Sequence, residues 1–80
     1  GEVVRVADQI VYPADVFAEI RDAVIAKLER DTTITLAEYR DMFDTSRKYA
    51  QPTLEYLDER RITRRKGDVR VRYHGAGARG

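Results

Sequence analysis

The apolar positions of this 80-residue chain follow a period of two, then a period near 3.6, then two again. Val3-Val4-Arg5-Val6-Ala7 and Ile10-Val11-Tyr12 are β-branched runs on either side of Asp8-Gln9. They predict a β-hairpin over residues 3–12 with a two-residue turn that lacks the usual glycine. Pro13 then stops the second strand and suits the first turn of a helix, where its missing N–H would have no partner anyway. From Asp15 to Arg30, Phe17, Ile20, Val24 and Leu28 recur at helical spacing, with Val16 and Ile25 widening the stripe, and this predicts an amphipathic helix.

Thr35-Leu36-Ala37-Glu38 is a capping box: the threonine hydroxyl accepts from the Glu38 N–H while the carboxylate reaches back to the Thr35 N–H. Ile34 and Tyr39 occupy the staple positions around it, and Leu36, Tyr39 and Phe43 form the apolar face of a short helix ending near Asp44. A third helix, capped by Thr45 or Ser46 and running to about Arg60, carries the stripe Ala50, Leu54, Leu57. Pro52 falls inside it, which predicts a kink or a tightened first turn, or else a regular helix that begins only at Pro52 with residues 46–51 as a separate turn. Ile62 to Tyr73 reads as a second hairpin turning at Gly67-Asp68. Hairpin, helix, short strand, helix, tight turn, helix and hairpin together make an α+β winged helix-turn-helix: three helices and a two-stranded wing behind a short β-hairpin.

Residues 15–73 would form the winged helix, residues 74–80 a flexible Gly/Ala tail, and residues 1–14 the end of a preceding winged-helix module. No cysteine is present, so a disulfide scaffold, a thiolate metal site and a cysteine nucleophile are excluded, and the single histidine, His74, excludes a multi-histidine site. No stretch approaches the ~20 apolar residues of a membrane-spanning helix. With Gly1 at its start and no basic-then-apolar leader, the chain reads as an expressed fragment of a cytosolic protein.

A net charge of +1 conceals a strong polarity. Residues 1–45 hold five bases against ten acids, net −5, and residues 46–80 hold ten bases against four acids, net +6. Such a split suits a polyanion on one side and solvent or another protein on the other. Within the basic half, Ser46-Arg47-Lys48 sets a hydroxyl and two cations at a helix N-terminus, where cations cost the isolated helix about 0.3–1 kcal/mol each unless an anion docks there. Tyr49 and Tyr56 read mainly as packing residues. In the wing, a two-residue turn sets Lys66 opposite Val69, Arg65 opposite Arg70 and Thr63 opposite Arg72, whereas a three-residue turn sets Arg64 opposite Arg70. Facing arginines destabilise a hairpin by roughly 0.2–1 kcal/mol, which also points to a polyanion. The wing cations also fit a second role, as charges that keep an edge strand soluble.

Catalytic chemistry finds no support. Gly67 stands alone, Gly75, Gly77 and Gly80 follow no strand-to-helix pattern, and His74 has no neighbouring acid or nucleophile. Asp15, Glu19, Asp22 and Glu29 are spaced as a solvated helix face. No cofactor or metal is expected, and the chain reads as a binding module rather than an enzyme.

Three segments together resemble the last winged-helix domain of the bacterial selenocysteine-specific translation elongation factors. They are the Thr35–Glu38 box, the run Thr45-Ser46-Arg47-Lys48-Tyr49-Ala50-Gln51-Pro52-Thr53-Leu54-Glu55-Tyr56-Leu57-Asp58, and Thr63-Arg64-Arg65-Lys66-Gly67-Asp68-Val69-Arg70-Val71. The resemblance implies a cytoplasmic GTP-binding factor that brings selenocysteinyl-tRNA to the ribosome at a recoded UGA codon. Its last winged helix would grip the selenocysteine insertion (SECIS) hairpin of the mRNA, while the GTP, tRNA and ribosome contacts lie in other domains. Carried over by position, the resemblance points to Arg47 and Lys48 first, then Arg65, Lys66 and Arg70, and Ser46, Arg64, Gly67 and Arg72 beside them complete the candidate RNA-binding set. A single patch of about five cations would make binding fall roughly 500-fold between 50 and 200 mM salt.

Two other readings stay open. A winged-helix DNA-binding regulator would lay the third helix in the major groove, but beyond Lys48 that face carries Gln51, Glu55, Asp58 and Glu59, and acids repel phosphate. A protein-docking winged helix would use the acidic half instead.

Overall fold

The computed structural model describes residues 1–74, and the expected tail beyond His74 lies outside the described residues. The elements are β1 (Val3–Ala7), β2 (Ile10–Pro13), α1 (Ala14–Asp31), α2 (Leu36–Phe43), α3 (Arg47–Glu59), β3 (Thr63–Lys66) and β4 (Val69–Arg72). This is the winged helix expected from the pattern, with β1 and β2 pairing antiparallel as the leading hairpin and β3 and β4 as the wing. The leading hairpin turns at Asp8-Gln9, and its register slips between Arg5 and Ala7, a bulge that lets Ala7 meet Ile10.

The core is one cluster: Phe17, Ile20, Val24 and Leu28 from α1, Ile34 from the link, Tyr39 from α2, and Ala50, Leu54 and Leu57 from α3. All are the residues the helical stripes and the staple picked out, because burying an apolar stripe is what makes a short helix stable. Two expected positions differ. Val16 is 38% exposed and lines an open cleft between α1 and α2, since α1 turns the flank of its stripe away from the core. Ser46 is the N-cap of α3, yet its hydroxyl makes no capping bond, and its carbonyl instead accepts from the Tyr49 and Ala50 N–H groups. The helix continues through Pro52 rather than starting there.

Side-chain bonds tie the elements together. The capping box of α2 is complete, at 3.0 Å from the Glu38 N–H to Thr35 Oγ1 and 2.9 Å from the Thr35 N–H to Glu38 Oε1. Glu38 has a second task. The buried Lys27 of α1 reaches Asp31 at 2.6 Å and Glu38 at 3.4 Å, which pins α1 to the start of α2. The hydrogen bond to Asp31 raises the Lys27 pKa, Lys27 lowers that of Asp31, and the Thr35 N–H chiefly lowers that of Glu38. Tyr39 is 1% exposed, and burial pushes its hydroxyl up to about 12. Phe17 meets Tyr56 edge-on at 5.5 Å, so Tyr56 packs as expected.

The leading hairpin packs on α1 and α3. Tyr12 from β2 meets the buried Thr53 of α3 hydroxyl to hydroxyl at 3.1 Å, and Thr53 donates to the Tyr49 carbonyl at 2.8 Å. At the other end of α3, the Arg61 N–H bonds the Asp58 carbonyl and the Ile62 N–H bonds the Leu57 carbonyl. That is a Schellman closure with Arg61, at φ 60°, in the left-handed position that glycine normally fills.

Candidate nucleic-acid interface

The wing adopts the two-residue register: Lys66 opposite Val69, Arg65 opposite Arg70, Arg64 opposite Val71 and Thr63 opposite Arg72. Gly67 has φ +64° while Asp68 does not, the combination used by a type II′ turn. Cross-strand neighbours share a face. Arg65 and Arg70 therefore point one way, and Arg64 and Lys66 point the other.

Arg70 does not project as a free cation. It is 7% exposed, and its Nε donates to both carboxylate oxygens of Asp58 on α3, at 3.1 and 3.3 Å. Asp58 also accepts from the fully buried Thr63 hydroxyl at 2.6 Å. The Arg70 backbone pairs in both directions with Ile34, at 2.9 and 3.0 Å, so the link before α2 becomes a third, one-residue strand beside the wing. This overturns two expectations. The facing Arg65 and Arg70 need no polyanion to relieve them, because Asp58 neutralises Arg70 internally. Asp58 itself is turned toward the wing and does not belong to the exposed acids of α3, which leaves Glu55 and Glu59 there.

The remaining cations fall into three settings. Arg47 and Arg65 line one groove of about 180 Å³ between the start of α3 and the wing, with Arg70 and Leu36 behind them and Gln51 and Asp68 beside them. Gln51 accepts from Arg47 Nε at 3.1 Å and donates to Glu55 at 3.2 Å, so a row of side chains at i, i+4 spacing orients Arg47 along α3. Arg65 Nε donates to the Gly67 carbonyl at 3.1 Å, which holds that guanidinium at the wing tip.

Lys48 lies around the helix from Arg47. It sits 5.7 Å from the centre of the Tyr49 ring and faces the Asp8-Gln9 turn of the leading hairpin across an open depression of about 730 Å³. Tyr49 is 43% exposed, contrary to its expected packing role, because α3 turns it away from the core stripe. Arg64, Lys66 and Arg72 surround a third depression, behind the wing. The nine residues selected from sequence are thus not one patch. Ser46, Arg47 and Arg65 lie on the α3 side of the wing with Gly67 at its tip, and Lys48 flanks them. Arg70 is structural, Arg64 and Lys66 point to the opposite face, and Arg72, at the end of β4 and paired with Thr63, lines the same rear depression.

Gln51, Leu36 and Asp68 were missing from the sequence assignment of the groove. The i, i+4 spacing of Arg47 and Gln51 was a signal for the first. Nothing in the sequence marks the leading turn as the neighbour of Lys48.

A family model described as "Elongation factor SelB, winged helix" matches residues 26–72, more than half of the chain. A selenocysteine-specific elongation factor of Desulfomicrobium baculatum is 34% identical over 70 residues, which make up 88% of this chain and 11% of that protein. The chain thus spans a small part of the relative it matches. The mRNA-binding domain of elongation factor SelB from E. coli, solved in complex with SECIS RNA, superposes with a TM-score of 0.82 at 24% identity, over 89% of this chain and 59% of that one. That likeness establishes the fold.

Proposed function

Since this chain belongs to the SelB elongation-factor winged-helix family, we propose that it is the part of such a factor that holds a SECIS-type mRNA hairpin. The observation that carries this reading is the convergence of Arg47 from α3 and Arg65 from the wing on one groove, below the uncapped first turn of α3. An A-form stem has a major groove too deep and narrow for a helix, so a protein grips its phosphates and reads unpaired bases. Arginine serves both ends, since its plane stacks on a base and its fork donates to phosphate. The Ser46 hydroxyl and the Arg47 and Lys48 N–H groups at the start of α3 add neutral donors beside those cations.

Holding the hairpin would tether the factor near a UGA codon in the cytoplasm. GTP hydrolysis and the selenocysteinyl-tRNA and ribosome contacts would belong to other parts of the whole protein, so this part contributes binding without catalysis. Glu55 and Glu59, exposed on the outward face of α3, disfavour the DNA major-groove alternative.

The test is a titration against three labelled nucleic acids: a SECIS-type hairpin, the same stem with its loop and bulge replaced, and a DNA duplex. Preference for the intact hairpin supports the reading, and equal affinity for all three refutes it. With Arg47, Lys48 and Arg65 as the charged contacts, hairpin affinity should fall about 40-fold between 50 and 200 mM salt.

A further inference from the structure

The cations behind the wing are unexplained by the groove. Arg64 and Lys66 are exposed, and Arg72 is half-buried where β4 runs beside α1. They surround a depression of about 500 Å³ whose floor includes Leu28 and Val71. No acid lies within ion-pair distance of any of the three among the described residues, while Arg70, in the same strand as Arg72, is fully paired. Glu29 is the only acid on the rim. The strand register sends Arg64 and Lys66 to the face opposite Arg65, and Arg72, which pairs with Thr63 on the Arg65 face, lines the depression from the end of β4. Three like charges held together without counter-charge cost the free domain stability, and a polyanion seated there reverses that sign.

We infer that this rear face of the wing is a second RNA-binding surface, which takes the phosphate backbone of an RNA segment other than the hairpin in the Arg47–Arg65 groove. Arg64 and Lys66 lie on the sheet face opposite Arg65, so a stem seated on Arg47 and Arg65 is screened from those two by the wing itself. The rear set is rich in charge and, among its lining residues, has the exposed His74 imidazole but no phenylalanine, tyrosine, asparagine or glutamine. Contact chiefly with the phosphate backbone is the mode such a surface supports. The domain would then bridge two RNA segments. This inference rests on the assignment of the groove to the hairpin.

The experiment uses the 80-residue chain, an unlabelled SECIS-type hairpin and a fluorescein-labelled RNA duplex of about 16 base pairs, a length that spans the grooves a small domain can contact. Labelled duplex is titrated with protein already saturated with hairpin. Duplex binding should persist and should fall about 40-fold between 50 and 200 mM salt, as three phosphate contacts require. Arg64→Ala/Lys66→Ala/Arg72→Ala should weaken duplex binding at least tenfold and leave hairpin affinity within twofold. Arg47→Ala/Arg65→Ala should do the reverse. Circular dichroism melting checks that each variant folds, and a variant that does not is replaced by the glutamine series at the same positions.

Displacement of duplex by hairpin would overturn the inference, as would a triple variant that weakens both ligands equally. A single RNA spanning both faces would show a hairpin salt dependence of roughly 2,000-fold, from six contacts. If the hairpin fails to bind or ignores Arg47→Ala/Arg65→Ala while the duplex still responds to the triple variant, the groove assignment fails and the rear surface stands as an RNA site.

Discussion

Arg70→Met tests whether the wing is locked to α3 by charge. The substitution keeps an unbranched stem of similar length in the sheet but removes the only cation among the described residues that contacts Asp58. Asp58 would keep the Thr63 hydroxyl as a partner while losing both bonds from Arg70 Nε. Deleting one member of a buried pair strands the other's charge, at a cost near 3–5 kcal/mol when burial is complete. The Asp58 side chain is 25% exposed against 9% for Arg70, so water recovers part of its solvation, and a loss of about 2–3 kcal/mol is expected. For a domain of this size, with total stability of roughly 4–12 kcal/mol, such a loss is large. Urea unfolding at pH 7, followed by far-UV circular dichroism, reads it as a lower midpoint with an unchanged slope. Arg70→Met/Asp58→Asn removes the stranded charge and keeps an oxygen for Thr63, so it should recover at least half the loss. The reasoning fails if Arg70→Met costs under about 0.5 kcal/mol, the range of an exposed pair, or if the double variant is no more stable than the single one.

Arg47→Ala should weaken hairpin binding by about 1–3 kcal/mol in fluorescence anisotropy, with unfolding unchanged, because the side chain is exposed and, among the described residues, bonds only Gln51. Alkaline pH should destabilise the domain. The Tyr39 hydroxyl is raised from 10 to about 12 in the fold, so its contribution is complete below pH 10 and disappears between pH 10 and about 12, a loss of about 3 kcal/mol. The raised Lys27 acts in the same direction above its ordinary value of 10.5. Tyr39→Phe should flatten the fall in urea midpoint across that window, and an equally steep fall would show that Tyr39 is not its source. Arg61→Gly should raise stability by up to about 1 kcal/mol in thermal unfolding, since glycine adopts the left-handed conformation without strain. A lower melting temperature would mean that the Arg61 side chain contributes more than its backbone costs.

The sequence by itself determined the elements and the core. Phe17, Ile20, Val24 and Leu28, the Thr35–Glu38 box, the α3 stripe and the Gly67-Asp68 turn are local signals, and their periods and caps act within a few residues of chain. The wing register was legible up to the length of the turn: the sequence left two or three residues open, and the structure adopts two. The grouping of cations was only half legible. Alternation separates Arg65 from Arg64 and Lys66, but which face meets α3 depends on the angle at which the wing closes. Asp58 decides that angle by bonding Arg70 and Thr63 across twelve and five positions of sequence. The same limit explains Tyr12 on Thr53, Lys27 bridging to Glu38, and Lys48 beside the leading turn. Each joins elements whose relative placement comes from packing the shared core, and a charge or hydroxyl carries no local mark of the distant group that will satisfy it. Tertiary structure alone decided which arginine is a strut and which cations have no acid within ion-pair distance among the described residues.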